Sequence, residues 1–445
     1  MLFWKKLMCE LFGPGHKPPP KATFRPQLEP LEKRENPAPV TYVWNAPADG
    51  PWNVAANWVA GVAGQYPGQG NDDVAEFSNG SNAKCTLTAP LPNALDGLLL
   101  AGGFAGTVQL NSRLTVTGTV DSSLLTGIID QPNGGGSDLT FGAGVVNWNN
   151  TVINSTGTRS DLVINSAADL KVKTGAAIGD NILNSGKVEF MTAMSKAVTF
   201  NNNGGISNNI GASLLFQGAW GISTTGTGVI TNDGTVKQTG TIGTVNVDLP
   251  LVNTNDCSYL EVDSGLTFTR AGQQTAVSVQ QNAGDLVLVG GATLTVNYGY
   301  VQNAGTLQTL GVNRSYIVSG GQGPVDVAIH GGLLQLHDFT RGNYLGLGVT
   351  GFVTMDGGTW EENVDVTGGD VADSFTASKG FLLGGSSSLY VSTAGTPGKG
   401  DTLPIMSCAT GSISGNFGTT NFDPMVWSAG VDPTNNKRYI LTSTT

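Results

Sequence analysis

Residues 281–310 read QNAGDLVLVGGATLTVNYGYVQNAGTLQTL, and the way this stretch repeats itself decides the fold. Within "GATLTVNYGY" the residues Leu294, Val296, Tyr298 and Tyr300 fall on alternate positions. That period of two is the mark of a strand with one face buried and the other wet. The triplet Asn-x-Gly opens each half, at Asn282 and again at Asn303, 21 residues later. Asn and Gly both tolerate the backbone angles of tight turns. The unit is therefore turn, strand, turn, strand.

The same phrase recurs upstream as "LNSGKV" and "TNDGTV", with asparagines at Asn184 and Asn232. Alternating strands accompany it: "ADLKVKTG", "SGKVEF" and "SYLEVD" present Leu170 and Val172, Val188 and Phe190, Leu260 and Val262 to one side. The representative inward residues Leu170, Val188, Leu214, Val236, Leu260, Leu286 and Leu307 are separated by 18, 26, 22, 24, 26 and 21 residues, a mean near 23. At about 3.3 Å per residue such a unit closes one coil of three short strands. No single coil can bury its inward side chains, so the coils must stack. The reading is an all-β, single-stranded, right-handed parallel β-helix, a solenoid with capped ends. A β-propeller, with blades of about 40–50 residues, suits spacings near 48 and 50 but not 21.

An open solenoid exposes core and unpaired backbone at both ends. Trp44, Trp52 and Trp58, three of the eight tryptophans, lie just before the repeats. With the turn residues of "GPWNVAANW" they are expected to cap the first coil; a sugar-stacking surface is the alternative. Phe422, Met425, Trp427 and Tyr439 are placed to close the other end. The expected organisation is a leader and Pro-rich linker at 1–39, a capping segment at 40–76, coils over 77–400, and a closing coil and cap over 401–445.

Composition agrees. Gly makes up 64 of 445 residues and charged residues only 12%, while 39% are hydrophobic. That suits short strands and tight turns and excludes a disordered chain. The net charge is −11, with residues 1–40 at +3 from seven Lys/Arg and four Glu, leaving −14 on the rest. An acidic body lacks the basic face that nucleic-acid binding needs. No run approaches the roughly 20 apolar residues of a membrane span. "MLFWKKLMCELF" has Trp4, Leu7, Met8, Leu11 and Phe12 at helical spacing, yet Lys5, Lys6 and Glu10 interrupt any ordinary secretory signal. Cys9, Cys85, Cys257 and Cys408 are scattered, without metal-ligand spacing, and no disulfide framework is expected.

The stretch "YVWNAPADGPWNVAANWVAGVAGQYPGQGNDDVAEF" resembles the first coil of secreted bacterial β-helix proteins of the autotransporter-associated-repeat type. Trp44, Trp52, Asn57, Trp58, Pro67, Gly68, Asp72, Asp73 and Phe77 carry that resemblance. "LEPLEKR" resembles a LEPLE-x-R leader of exported proteins, and "KGDTLPIMSCATGSISGNFGTTNF" resembles the closing coil. The resemblance implies a pectin-lyase-like or autotransporter-passenger-like solenoid and an elongated extracellular or cell-surface body, exported by an atypical N-terminal signal. It says little about activity.

No catalytic, cofactor or metal residues are assigned. "PNGGGSDLTFG" is a single copy of a calcium-like phrase that works only in stacked copies. Asp365, Asp370 and Asp373 lie in a Gly-rich turn that reads as solvated. Asp72 and Asp73 read as turn residues. His330 and His337, seven residues apart, are read as forming no triad and no metal set. The expected role is non-enzymatic, structural or adhesin-like, with cell-envelope or extracellular polysaccharide as the expected partner class. The alternative is a carbohydrate-active enzyme (lyase or hydrolase) or a carbohydrate-binding protein on the same scaffold.

Overall fold

The computed structural model describes residues 38–444, apart from 79, 123–127, 133–135, 137, 149–151, 155–159, 174–176, 180, 192–197, 201–203, 219–220, 240–244, 271–276, 290, 311–312, 324, 337–345, 368–370, 373 and 424–425. Strands dominate, and parallel strands stack into a β-solenoid of about ten turns. The only described helical element is one short 3-10 turn, Ala55–Asn57. The chain divides into two compact units, 1–169 and 170–445.

In the first unit Val40–Trp44 pairs antiparallel with Trp58–Ala60 on one side and parallel with Asp73–Phe77 on the other. From there the ladder is parallel, through Leu95–Leu100, Leu114–Asp121 and Leu139–Trp148. A second ladder joins Gly50–Pro51, Cys85–Leu87, Thr107–Leu110, Ile128–Asp130 and Val152–Asn154. Asp73, only 3% exposed, ties the turn before its strand. Its Oδ2 accepts from the Gly68 and Gly70 amides at 2.9 and 2.8 Å.

The second unit repeats one three-strand coil. Asn181–Asn184, Lys187–Phe190 and Val198–Phe200 each pair in parallel with Ile206–Asn208, Ser213–Phe216 and Ile222–Thr224 of the next coil. Val188, Leu214, Val236, Leu260, Leu286 and Leu307 stand in one register column, as the spacing required. All six are 0–1% exposed. Each such buried aliphatic contributes about 1.5–3 kcal/mol. A neighbouring column runs Ile182, Ile206, Ile230, Leu251, Val279, Tyr300, Val327, Val353, Phe381 and Ile413. Phe190 and Phe216 stack nearly parallel at 5.0 Å, because in-register rungs place like side chains over like.

The unit finishes with antiparallel strands. Arg438–Ser443 pairs antiparallel with both Thr402–Cys408 and Trp427–Val431.

The Asn-x-Gly turns are not all placed alike. Asn184 and Asn232 share an inward column with Asn208 and Asn253, but Asn282 and Asn303 do not. The register places Gln281 and Gln302 in that column and turns Asn282 and Asn303 outward. The triplet is shifted by one residue between the two halves of the unit, and a one-residue shift reverses the face. Of the thiols, Cys85 and Cys408 are free and buried.

Candidate functional site

The inward polar column carries an amide ladder from Asn184 to Asn253. Asn184 Nδ2 donates to Asn208 Oδ1 at 2.7 Å, Asn208 to Asn232 at 2.7 Å, and Asn232 to Asn253 at 2.9 Å. Each Nδ2 also donates to a carbonyl of the next coil, of Ser213, Thr235 and Tyr259 respectively. Gln281 and Gln302 extend the column. Tyr300 donates its hydroxyl to Gln281 Oε1 at 2.6 Å. Full burial raises the Tyr300 hydroxyl pKa well above its usual value. These amides hold the corner of the coil; they face no solvent.

One residue further on lies an outward ladder. Asn209 donates to Ser185 at 2.8 Å, Thr254 to Asp233, and Asn303 to Asn282 at 2.8 Å. His330 Nδ1 meets Asp356 Oδ1 at 2.6 Å in the same column. His330 therefore does have a carboxylate partner, one coil away, which sequence order concealed. His337, Asp370 and Asp373 fall outside the described residues. Asp365 accepts from its own neighbour Thr367, through both the amide and the hydroxyl, at 2.8 and 2.6 Å. Within the calcium-like stretch, Asp138 accepts from Arg113 at 3.3 Å and from the Asp161 amide at 3.1 Å.

The expected capping residues are buried. Trp44, Trp52 and Trp58 are 0, 0 and 6% exposed and Trp427 is 4%. Trp58 meets Trp44 and Trp52 edge-on at 5.1 and 5.0 Å, and all three pack on Phe77. Their indole N–H groups donate to the carbonyls of Ala83, Pro67 and Trp52. Trp427 donates to Thr393 Oγ1 at 2.8 Å. Aromatic faces packed this way offer no stacking surface. Tyr439 is buried beside Phe417, Phe422 is half-buried, and Met425 lies outside the described residues.

Two groupings escaped the sequence reading because their members come from different coils. Lys237 pairs with Glu261 directly across the rung and reaches Asp263 at 3.8 Å. Tyr259 donates to Glu261 Oε2 at 2.8 Å. Burial acts to raise the Glu261 pKa, but bonds from Lys237 and Tyr259 outweigh it and hold the group below its usual range. Burial, together with its hydrogen bond to Glu261, lifts Asp263 to about 6. The two carboxyl groups thus contact each other. Glycoside cleavage holds its carboxyl pair at least about 5 Å apart, with room for a sugar between.

The second grouping is a cleft of about 240 Å³ lined by Gly321, Gly323, Val325, Asp326, Phe352, Thr354 and Lys379. Asp326 Oδ2 accepts from the Phe352 amide at 2.8 Å and from Lys379 Nζ at 3.1 Å. Its Oδ1 accepts from Ser319 at 2.5 Å. Burial acts to raise the Asp326 pKa, yet these three donors hold it below the usual carboxylate range. A methyl group on Gly351 would sit 2.7 Å from Asp326 Cβ and Cγ. The bare glycine therefore lets the carboxylate lie against the backbone. Among the described residues no three metal-ligating side chains cluster, and no helix is long and apolar enough to cross a membrane. No protein-family model and no curated protein matches the chain.

Proposed function

We propose that this chain is a non-enzymatic, adhesin-like structural solenoid of the cell surface or extracellular space. The observation that carries the reading is the way outward polar groups spend their bonding on the next coil. Ser185–Asn209, Asp233–Thr254, Asn282–Asn303 and His330–Asp356 are joined along one column, and Lys237–Glu261 and Gln335–Glu361 along another. Groups committed to one another stiffen a rod; a catalytic acid or base must instead face substrate. The resemblance of both chain ends to secreted, autotransporter-associated-repeat-type β-helix proteins supports the location and an elongated, exported body, with polysaccharide as the partner class.

The test is incubation of the full chain with envelope and plant-type polysaccharides, followed by reducing-end and unsaturated-product assays. The reading expects no turnover above buffer. Sustained release from any of them, abolished by Glu261→Gln or Asp263→Asn, refutes it and favours a carbohydrate-active enzyme.

A further inference from the structure

We propose that the cleft at Asp326, Phe352 and Lys379 binds one uncharged pyranose ring of a polysaccharide. This deepens the reading above, since it names the chemistry by which the solenoid would hold its partner.

The cleft is assembled from three successive coils, with the turn residues Gly321, Gly323 and Val325 as one wall. Phe352 and Thr354 come from the next coil, and Lys379 from the one after. Phe352 faces outward, 36% exposed, and in register with Gly380. A Cβ on Gly380 would come within 3.2 Å of the Phe352 ring, so the glycine leaves the ring room to seat. An exposed aromatic face is electron-rich and suits the C–H face of a sugar ring, which is apolar and slightly positive. Among the described residues most large aromatics are buried, and Phe352 and Tyr316 are the two left exposed.

The polar groups are complementary to a pair of neighbouring hydroxyls. Asp326 is held ionised by three donors, and its side chain is only 11% exposed, so the carboxylate is fixed in place. Lys379 donates to it at 3.1 Å with its side chain 56% exposed. An ammonium has three N–H donors, so further donors remain for a ligand. Thr354 adds a hydroxyl that can donate or accept.

Charge and size narrow the ligand. Asp326 and Lys379 cancel, and residues 41–445 carry a net −14. A polyanion meets repulsion from the body and no net attraction in the cleft. About 240 Å³ lies below the ~300–1,000 Å³ of pockets for drug-sized ligands. The space fits one ring rather than a run of them.

The experiment is affinity electrophoresis of the full chain in gels containing glucan, mannan, galactan or xylan, with polygalacturonate as the anionic arm. At least one neutral polysaccharide should retard the protein. Phe352→Ala should weaken that retardation about tenfold, and Lys379→Met should also weaken it, with thermal midpoints unchanged. Tyr316→Ala, which removes an exposed aromatic outside the cleft lining, should bind as wild type. Three results each overturn the proposal: no neutral polysaccharide retards the chain, Phe352→Ala and Lys379→Met bind as wild type, or only polygalacturonate retards and added salt abolishes it. Reducing ends measured on the same mixtures separate the two claims. A rise sinks the non-enzymatic reading while leaving the binding site standing; constant ends with retardation uphold both.

Discussion

Replacing Asn208 by alanine cuts the amide ladder at its middle. Asn208 is 1% exposed. It accepts from Asn184 at 2.7 Å and donates to Asn232 at 2.7 Å and to the Thr235 carbonyl at 3.0 Å. Each of these three bonds has a net worth of about 0.5–1.5 kcal/mol, and a buried acceptor stranded without its donor costs about 1–3 kcal/mol. Asn184 keeps its bond to Ser213, whereas Asn232 Oδ1 loses the donor that reached it from below. The expected loss is therefore about 3–7 kcal/mol. Urea unfolding followed by circular dichroism reads it as a lower midpoint at unchanged slope. Ser207→Ala, on the outward side of the same strand, is the matched control and should stay within about 0.5 kcal/mol. A loss below about 1 kcal/mol for Asn208→Ala, equal to the control, would refute the claim that the ladder holds the coil corner.

Other perturbations test separate parts of the structure. Gly234→Ala places a methyl group 2.4 and 2.5 Å from the carbonyl oxygens of Asn209 and Ala212; it should cost about 1–3 kcal/mol, while Gly385→Ala, with open space around it, should be neutral by the same unfolding assay. Trp52→Ala empties a fully buried site against Trp58 and Phe77 and should cost about 3–5 kcal/mol, with increased acrylamide quenching of the remaining tryptophans. Asp263 has its folded pKa raised to about 6 from 3.8, so the folded state holds the extra proton between those values and that group's contribution falls as pH rises through the window. Asp263→Asn should accordingly gain on wild type in midpoint as pH goes from about 4 to about 7; a constant difference across that range would contradict the assigned coupling.

Much of the fold was legible because burial and period speak directly in sequence. Val188, Leu214, Val236, Leu260, Leu286 and Leu307 could be chosen from alternation alone, and the register aligns them. Face assignment at the turns was harder. Asn-x-Gly looks identical whether the Asn is the inward rung, as at Asn184, or the outward one, as at Asn282. Only the following strand's register decides, and coil lengths vary from 21 to 28 residues between Asn232, Asn253 and Gln281. The candidate site was the least legible part. Asp326, Phe352 and Lys379 are separated by whole coils, and each is unremarkable where it stands. His330 and Asp356, 26 residues apart, show the same limit. The available signal was an outward Phe on a strand opposite a Gly one coil later, visible only once the period is fixed.

The central claim is that coils of the second unit pile up in register along one direction. Spin labels at Ser207→Cys and Leu382→Cys test it through electron–electron distances. These outward positions belong to one column, linked through Thr231, Val252, Gln280, Val301, Ala328 and Thr354, and so lie seven rungs apart. At about 4.8 Å per rung the account predicts a narrow distribution near 34 Å. A distribution centred below about 20 Å, or one without a defined maximum, would contradict the stacked solenoid.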